Sequence, residues 1–228
     1  MIADNLNNIY KELPSGVKLV AVSKYHPFSS IREAYEAGQR IFGESRPQEL
    51  KSKMDELAAL RVEKGSGFEE PEFHFIGHLQ TNKLKMVLPY VSMVQSVDSI
   101  HLLEEINRWG KDNSRKVNIL LELHLGAEET KQGFAEEEIL DILFNADKYQ
   151  GVEICGLMGM ATNSDDENVV DADFARIEDY YLYLRDLFPE YESFRELSIG
   201  MSGDWPLALR HGATMIRIGT AIFGERRA

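Results

Sequence analysis

Short β-rich runs alternate with segments of helical period along this 228-residue chain, and few architectures accept that rhythm. KLVAVS (18–23) precedes a segment in which Ser30 and Glu33 have the spacing of a capping box, with Ile31, Ala34 and Tyr35 on one face. RIFG (40–43) leads into a helix with Pro47 in its first turn, and FHFIG (73–77) into TNKLKMVL, stopped by Pro89. VSMVQSV (91–97) precedes a helix that Asp98 is placed to cap, with Ile100, Leu103 and Ile106 inward. VNILLELHL (117–125) is apolar enough for a strand buried on both faces. The helix after it starts with Glu136, Glu137 and Glu138, which complement its dipole. VEICGLMGM (152–160) precedes a long helix from about Asp171 to Phe188, ELSIGMS (196–202) precedes a short one, and TMIRIG (214–219) is the last strand. About eight strand–helix units result, the count of an α/β protein built as a (β/α)8 TIM barrel, although a doubly wound open sheet shares the repeat.

Hydrophobic residues make up 43% of the chain, enough for one large core, and residues 1–228 are read as one domain. The acidic stretches 63–72 and 162–171 read as surface loops too short to separate domains. A net charge of -13 opposes nucleic acid and anionic membranes, while a small anion can still be held by a few local positive groups. The single cysteine, Cys155, excludes an intrachain disulfide and reads as core. The start MIADNLNNIYKEL lacks the pattern of a signal peptide and no stretch is long enough to span a bilayer, so a cytoplasmic location is expected. His26, His74, His101, His124 and His211 show no ligand spacing, and no metal site is expected.

Three segments carry candidate chemistry. In KLVAVSKYHPF, alternation puts Val20, Val22 and Lys24 on one side and Leu19, Ala21 and Ser23 on the other. If Lys24 faces the mouth of a barrel, apolar surroundings disfavour its charged form and the amine can attack an aldehyde; a snorkelling strand-end lysine is the ordinary alternative. In SIGMSGDWPLALRHG (198–212), a glycine-rich turn carrying Ser202 runs into a short helix, and Gly219-Thr220 follows the eighth strand. These are the two places where barrels commonly hold phosphate. Arg217, among aliphatic neighbours on the face of Met215, requires an acceptor: a carboxylate, a carbonyl or a ligand atom. An aldehyde, a phosphate and a weakly basic acceptor meet in pyridoxal 5'-phosphate.

The segments AVSKYHP, FGESRPQEL, FHFIGHLQTNK, EICGLMGMAT, ELSIGMSGDW and MIRIGTAIFGER, in that order from Lys24 to Arg226, resemble the signatures of the pyridoxal phosphate homeostasis protein family. The resemblance implies a fold-type III barrel similar to the N-terminal domain of alanine racemase. It implies Lys24 as the residue of an internal aldimine, and Ser202, Gly219 and Thr220 at the phosphate. Met201 would lie beside the cofactor and Arg217 would face the pyridine nitrogen. Ile76, Gly77 and His78 match a segment lining the mouth. Ser45 and Arg46 stand where many members have Asn-Tyr, so Ser45 is expected to keep a weaker hydrogen bond to the cofactor or leave that contact to water. GHLQ replaces the frequent GPLQ. Lys131 and Gly133 match a Lys-x-Gly pattern of the family to which no contact is assigned.

The same residues weigh against catalysis. Arginine donates hydrogen bonds and accepts none, so Arg217 beside a pyridine nitrogen leaves the ring a weak electron sink. Racemisation needs a base on each side of the substrate carbon. Racemases with this barrel take the second base, a tyrosine, from a further domain. Here the sequence stops at Ala228, soon after the eighth strand, and that domain is expected to be missing. Tyr25 should point away from Lys24, which leaves His78 as the imidazole to consider. The expected function is therefore non-enzymatic: reversible covalent binding of pyridoxal 5'-phosphate in vitamin B6 homeostasis, with delivery to apoenzymes as a further implied role. A monomer is expected, with a dimer as the alternative. The alternative functions are a racemase-like enzyme of low efficiency and a lysine-dependent aldolase, the latter leaving Arg217 unexplained.

Overall fold

Eight parallel strands close on themselves in chain order, β1 to β8, so the barrel and not the open sheet is the fold of this chain. The structure is a computed structural model and describes residues 1–125 and 132–225. The strands are β1 (Lys18–Val22), β2 (Ile41–Glu44), β3 (Glu72–Phe75), β4 (Met93–Val97), β5 (Val117–Glu122), β6 (Val152–Met158), β7 (Glu196–Ser198) and β8 (Met215–Ile218). The helices among the described residues are α1 (Ile2–Glu12), α2 (Phe28–Glu36), α3 (Pro47–Lys64), α4 (Leu84–Val87), α5 (Ile100–Asp112), α6 (Glu136–Phe144), α7 (Glu167–Leu187), α8 (Trp205–Arg210) and α9 (Thr220–Phe223).

Side-chain alternation sorts the barrel wall into two apolar layers. Val20, Met93, Leu120, Cys155, Met158 and Met215 pack together inside, with Ile41 against them. Leu19, Ala21, Phe42, Phe73 and Phe75 join the outer layer under the helices. Cys155 is thus core, and burial pushes its thiol up to about 11. Gly156, at φ 148°, interrupts the alternation of β6; a Cβ there would lie 1.8 Å from the Glu196 carbonyl oxygen, so only glycine lets β6 and β7 approach this closely. The barrel closes where β1 pairs with β8, Val20 level with Arg217 and Ala21 with Ile218. α1 braces this seam, the Asn5 amide donating to the Ile222 carbonyl at 2.9 Å.

Helix starts depart from the sequence expectations. α2 begins at Phe28 after Pro27, which places Ser30 inside the first turn; Glu33 instead accepts the backbone N–H of Ile2 at 3.1 Å. Ser99, not Asp98, caps α5, accepting the Leu102 N–H at 3.4 Å; Ile100 is 37% exposed, while Leu102, Leu103 and Ile106 are buried. α7 begins at Glu167, capped by Asp166, so the acidic stretch 162–171 is half helix. Its buried face carries Phe174, Ile177, Tyr181 and Leu184 as expected. Among the described residues no helix is long and apolar enough to cross a membrane.

Candidate functional site

Lys24 sits two residues past the end of β1, half-buried, in a turn whose next residue, Tyr25, adopts φ 66°. Register fixes its neighbours. Val22 is level with Gly43, so Lys24 and Ser45 leave adjacent strands two residues further along. Ser45 abuts the loop after β3: a Cβ on Gly77 would lie 2.6 Å from the Ser45 Cβ. The Ser96 hydroxyl holds that loop from β4 by donating to the Gly77 carbonyl at 2.5 Å. Arg46 lies with its guanidinium 4.4 Å from the Tyr25 ring centroid, a cation–π contact at the rim.

On the other side of Lys24, the two glycine-containing turns meet. The Gly219 N–H donates to Ser202 Oγ at 3.2 Å, joining the β7–α8 turn to the end of β8. A Cβ on Gly219 would lie 3.2 Å from the Val22 carbonyl oxygen, so this turn is seated on the end of β1. Thr220, exposed, opens α9. Met201 is exposed, and its N–H donates to Asp204 Oδ1 at 2.5 Å. Gly200, at φ 89°, makes the turn and packs against α8. Ser202, Gly219 and Thr220 are therefore brought together over the end of β1, two residues before Lys24, and Met201 precedes Ser202 in the same turn.

Arg217 is 5% exposed and finds carbonyls and a hydroxyl as acceptors. Nη1 donates to the Ser198 carbonyl and to Ser198 Oγ, both at 2.7 Å, and Nη2 to the Gly159 carbonyl at 2.9 Å. Ser198 Oγ donates in turn to Gln95 Oε1 at 2.7 Å, and Gln95 Nε2 lies 2.8 Å from His74 Nδ1. This polar line crosses the barrel interior. Burial brings Arg217 down to about 10, against the pull of Glu122 and Asp204.

Two further acidic groups meet at the mouth: Glu122, which the sequence does not mark as a site residue, and Asp98, which it offers only as a helix cap. Burial pushes Glu122 at the end of β5 up to about 7; Asp98 adds to the shift, and Arg217 and His78 oppose it. Asp98, freed from helix capping, holds His78 Nδ1 at 2.9 Å, the imidazole half-exposed at the mouth. Glu122 lies inside an apolar run and Asp98 has the chemistry of a helix cap, and only closure of the barrel brings the two together at the mouth. Lys131 lies outside the described residues; Gly133, at φ 128°, packs against the backbone of His124.

Residues 1–227 match the family model described as alanine racemase, N-terminal domain. A protein of Haemophilus influenzae named pyridoxal phosphate homeostasis protein is 33% identical over 239 residues, covering 99% of this chain and 96% of its own. A protein of Aquifex aeolicus with the same name is 35% identical over 215 residues, covering 92% of this chain and 87% of its own. This chain belongs to the pyridoxal phosphate homeostasis protein family. Among solved structures, PipY of Synechococcus elongatus with PLP bound superposes with a TM-score of 0.88 at 37% identity, covering 98% of this chain and 100% of that one. Alanine racemase of Clostridium difficile, at 15% identity and a TM-score of 0.75, shares the fold over 57% of its length. The curated family members carry a homeostasis name and not that of an enzyme.

Proposed function

We propose that this protein binds pyridoxal 5'-phosphate at the β8–β1–β2 side of the barrel mouth and serves vitamin B6 homeostasis by holding the cofactor reversibly. The donor set fits that molecule. Lys24, a half-buried residue, follows the end of β1 on which a cradle is seated where Ser202 Oγ and the Gly219 amide already meet, and a Cβ on Gly219 would crowd it against Val22. Arg217, a buried donor with no acceptor capacity, matches the ring nitrogen. The observation that carries the reading is the junction of the two turns over the end of β1, because it supports a phosphate cradle within two residues of Lys24 in the chain. The PLP-bound PipY relative supports the same ligand.

When bound, the cofactor supplies a reactive aldehyde. Lys24 is the group to bond it covalently, Ser202, Gly219 and Thr220 hold the phosphate, Met201 borders it, and Ser45 lies next to Lys24 with a hydroxyl to offer. Arg217, a donor on the ring nitrogen, keeps that nitrogen unprotonated, which suits storage better than carbanion chemistry. Storage in a reversible linkage also allows release to apoenzymes. The test is the visible absorption of the loaded protein before and after borohydride, in wild type and Lys24→Ala. A borohydride-sensitive band absent from the variant is expected; the same band in Lys24→Ala would place the linkage elsewhere.

A second reading, slow racemase-like proton exchange, draws on the His78–Asp98 pair and on Glu122 poised near neutrality. Deuterium incorporation at the α carbon of alanine or serine in D2O, at turnover rates and dependent on Lys24 and His78, would favour it over storage.

A further inference from the structure

Two nearly rigid peptide planes meet at the α carbon of Lys24, and the angles between them decide where its side chain sets out. The plane before it carries the Ser23 carbonyl, and the plane after it carries the Tyr25 N–H. Both are held from outside the barrel wall by one helix. Lys53 Nζ on α3 donates to the Ser23 carbonyl at 2.8 Å, and Glu49 Oε1, one turn earlier, accepts the Tyr25 N–H at 2.6 Å. Lys53 and Glu49 bond each other at 2.8 Å. The remaining ammonium proton goes to Glu44 Oε1 at 2.6 Å, and the same oxygen accepts the Ser23 hydroxyl at 2.5 Å.

This cluster is an uneconomical way to fill space. The Lys53 side chain is 4% exposed and that of Glu44 0%, and burial holds the Glu44 carboxyl above its ordinary range. Apolar residues of similar volume commonly stabilise such a site as well or better. What the ion pairs add is direction: each of the three ammonium protons of Lys53 has a separate target. Glu49 also anchors the N–H of Tyr25, whose φ of 66° lies in a region that residues with side chains seldom occupy.

We propose that Lys53 and Glu49 are positioning residues that aim the Lys24 side chain into the mouth, so that its amine meets an aldehyde held by the phosphate cradle. This rests on Lys24 being the linkage residue proposed above. The closing experiment compares the affinity of pyridoxal 5'-phosphate with that of pyridoxine 5'-phosphate, which has an alcohol in place of the aldehyde, for wild type, Lys24→Ala, Lys53→Met, Glu49→Ala and Glu49→Gln.

Wild type is expected to prefer the aldehyde and Lys24→Ala to lose that preference; a wild type without the preference refutes the linkage reading itself. With the preference established, Lys53→Met and Glu49→Ala are expected to weaken aldehyde binding by roughly 10–100-fold while leaving the alcohol nearly unchanged, as a misaimed amine would. Glu49→Gln, which keeps an acceptor for the Tyr25 N–H, should recover part of the loss. Parallel weakening of both ligands would mean a merely structural role, and undiminished aldehyde binding would mean no role; either overturns the proposal. Should Lys53→Met fail to fold, Glu49→Ala carries the test, since the Glu49 side chain is 21% exposed.

Discussion

Glu122 shows how much a single buried group reports about the mouth. Burial raises its carboxyl from 4.5 to about 7, so folding favours the protonated form. The contribution of that proton to stability is complete below the unfolded value near 4.5 and is lost as pH rises through about 7. The ligand-free protein should therefore lose stability between pH 5 and pH 8, and Glu122→Gln, which mimics the neutral acid, should remove about 1–3 kcal/mol of that loss. Urea unfolding of both proteins across this range decides the matter; equal slopes against pH would show that Glu122 titrates normally. A lysine ending the apolar run KLVAVS and an arginine among aliphatics in TMIRIG break their local patterns, which is why Lys24 and Arg217 are legible in the sequence. Glu122 also interrupts an apolar run, VNILLELHL, but what surrounds it cannot be read there. Its environment is created by Asp98, His78 and Arg217 arriving from three other parts of the chain.

Between elements, α7 and α8 are joined by His211, whose ring nitrogens lie 2.9 Å from Glu178 and 3.1 Å from Asp171. Only the imidazolium donates to both carboxylates. Burial of the ring works against the charge, but the bonds and charges of Asp171 and Glu178 outweigh it, and the pKa is raised. A raised value stabilises the fold fully below the unfolded pKa and ceases to do so as pH rises through the folded one. His211→Gln should thus lower Tm by about 2–4 °C at pH 6 and by little at pH 9. A pH-independent loss would mean that the ring acts by packing alone. Element order was readable because strands buried on both faces are continuous apolar runs, as in VNILLELHL. Helix starts were less so. Ser30 and Glu33 have the capping spacing, yet Pro27 starts α2 earlier; Asp98 has the capping chemistry, yet the mouth gives it His78. Lys53 and Glu49 read as an ordinary i,i+4 pair on a helix, and only closure of the barrel brings Ser23 and Tyr25 to them.

At the scale of the whole molecule, a protein of net charge -13 is proposed to take up a phosphate-bearing ligand. The opposing signs separate by distance. Far from the surface the ligand meets the summed negative field of a chain with 38 acidic and 25 basic residues; within a few ångströms it is proposed to meet the Gly219 amide, Ser202 and Lys24. Salt screens the first region more than the second, because the Debye length falls from about 30 Å at 0.01 M to about 10 Å at 0.1 M. Raising ionic strength over that range should therefore speed association of pyridoxal 5'-phosphate by roughly two- to fivefold, opposite to the slowing expected of a positively steered site. Stopped-flow absorbance with the protein in excess measures this directly. Association that slows with added salt would mean that the mouth carries an attractive field reaching beyond the cradle, and that positive groups outside it take part in capture.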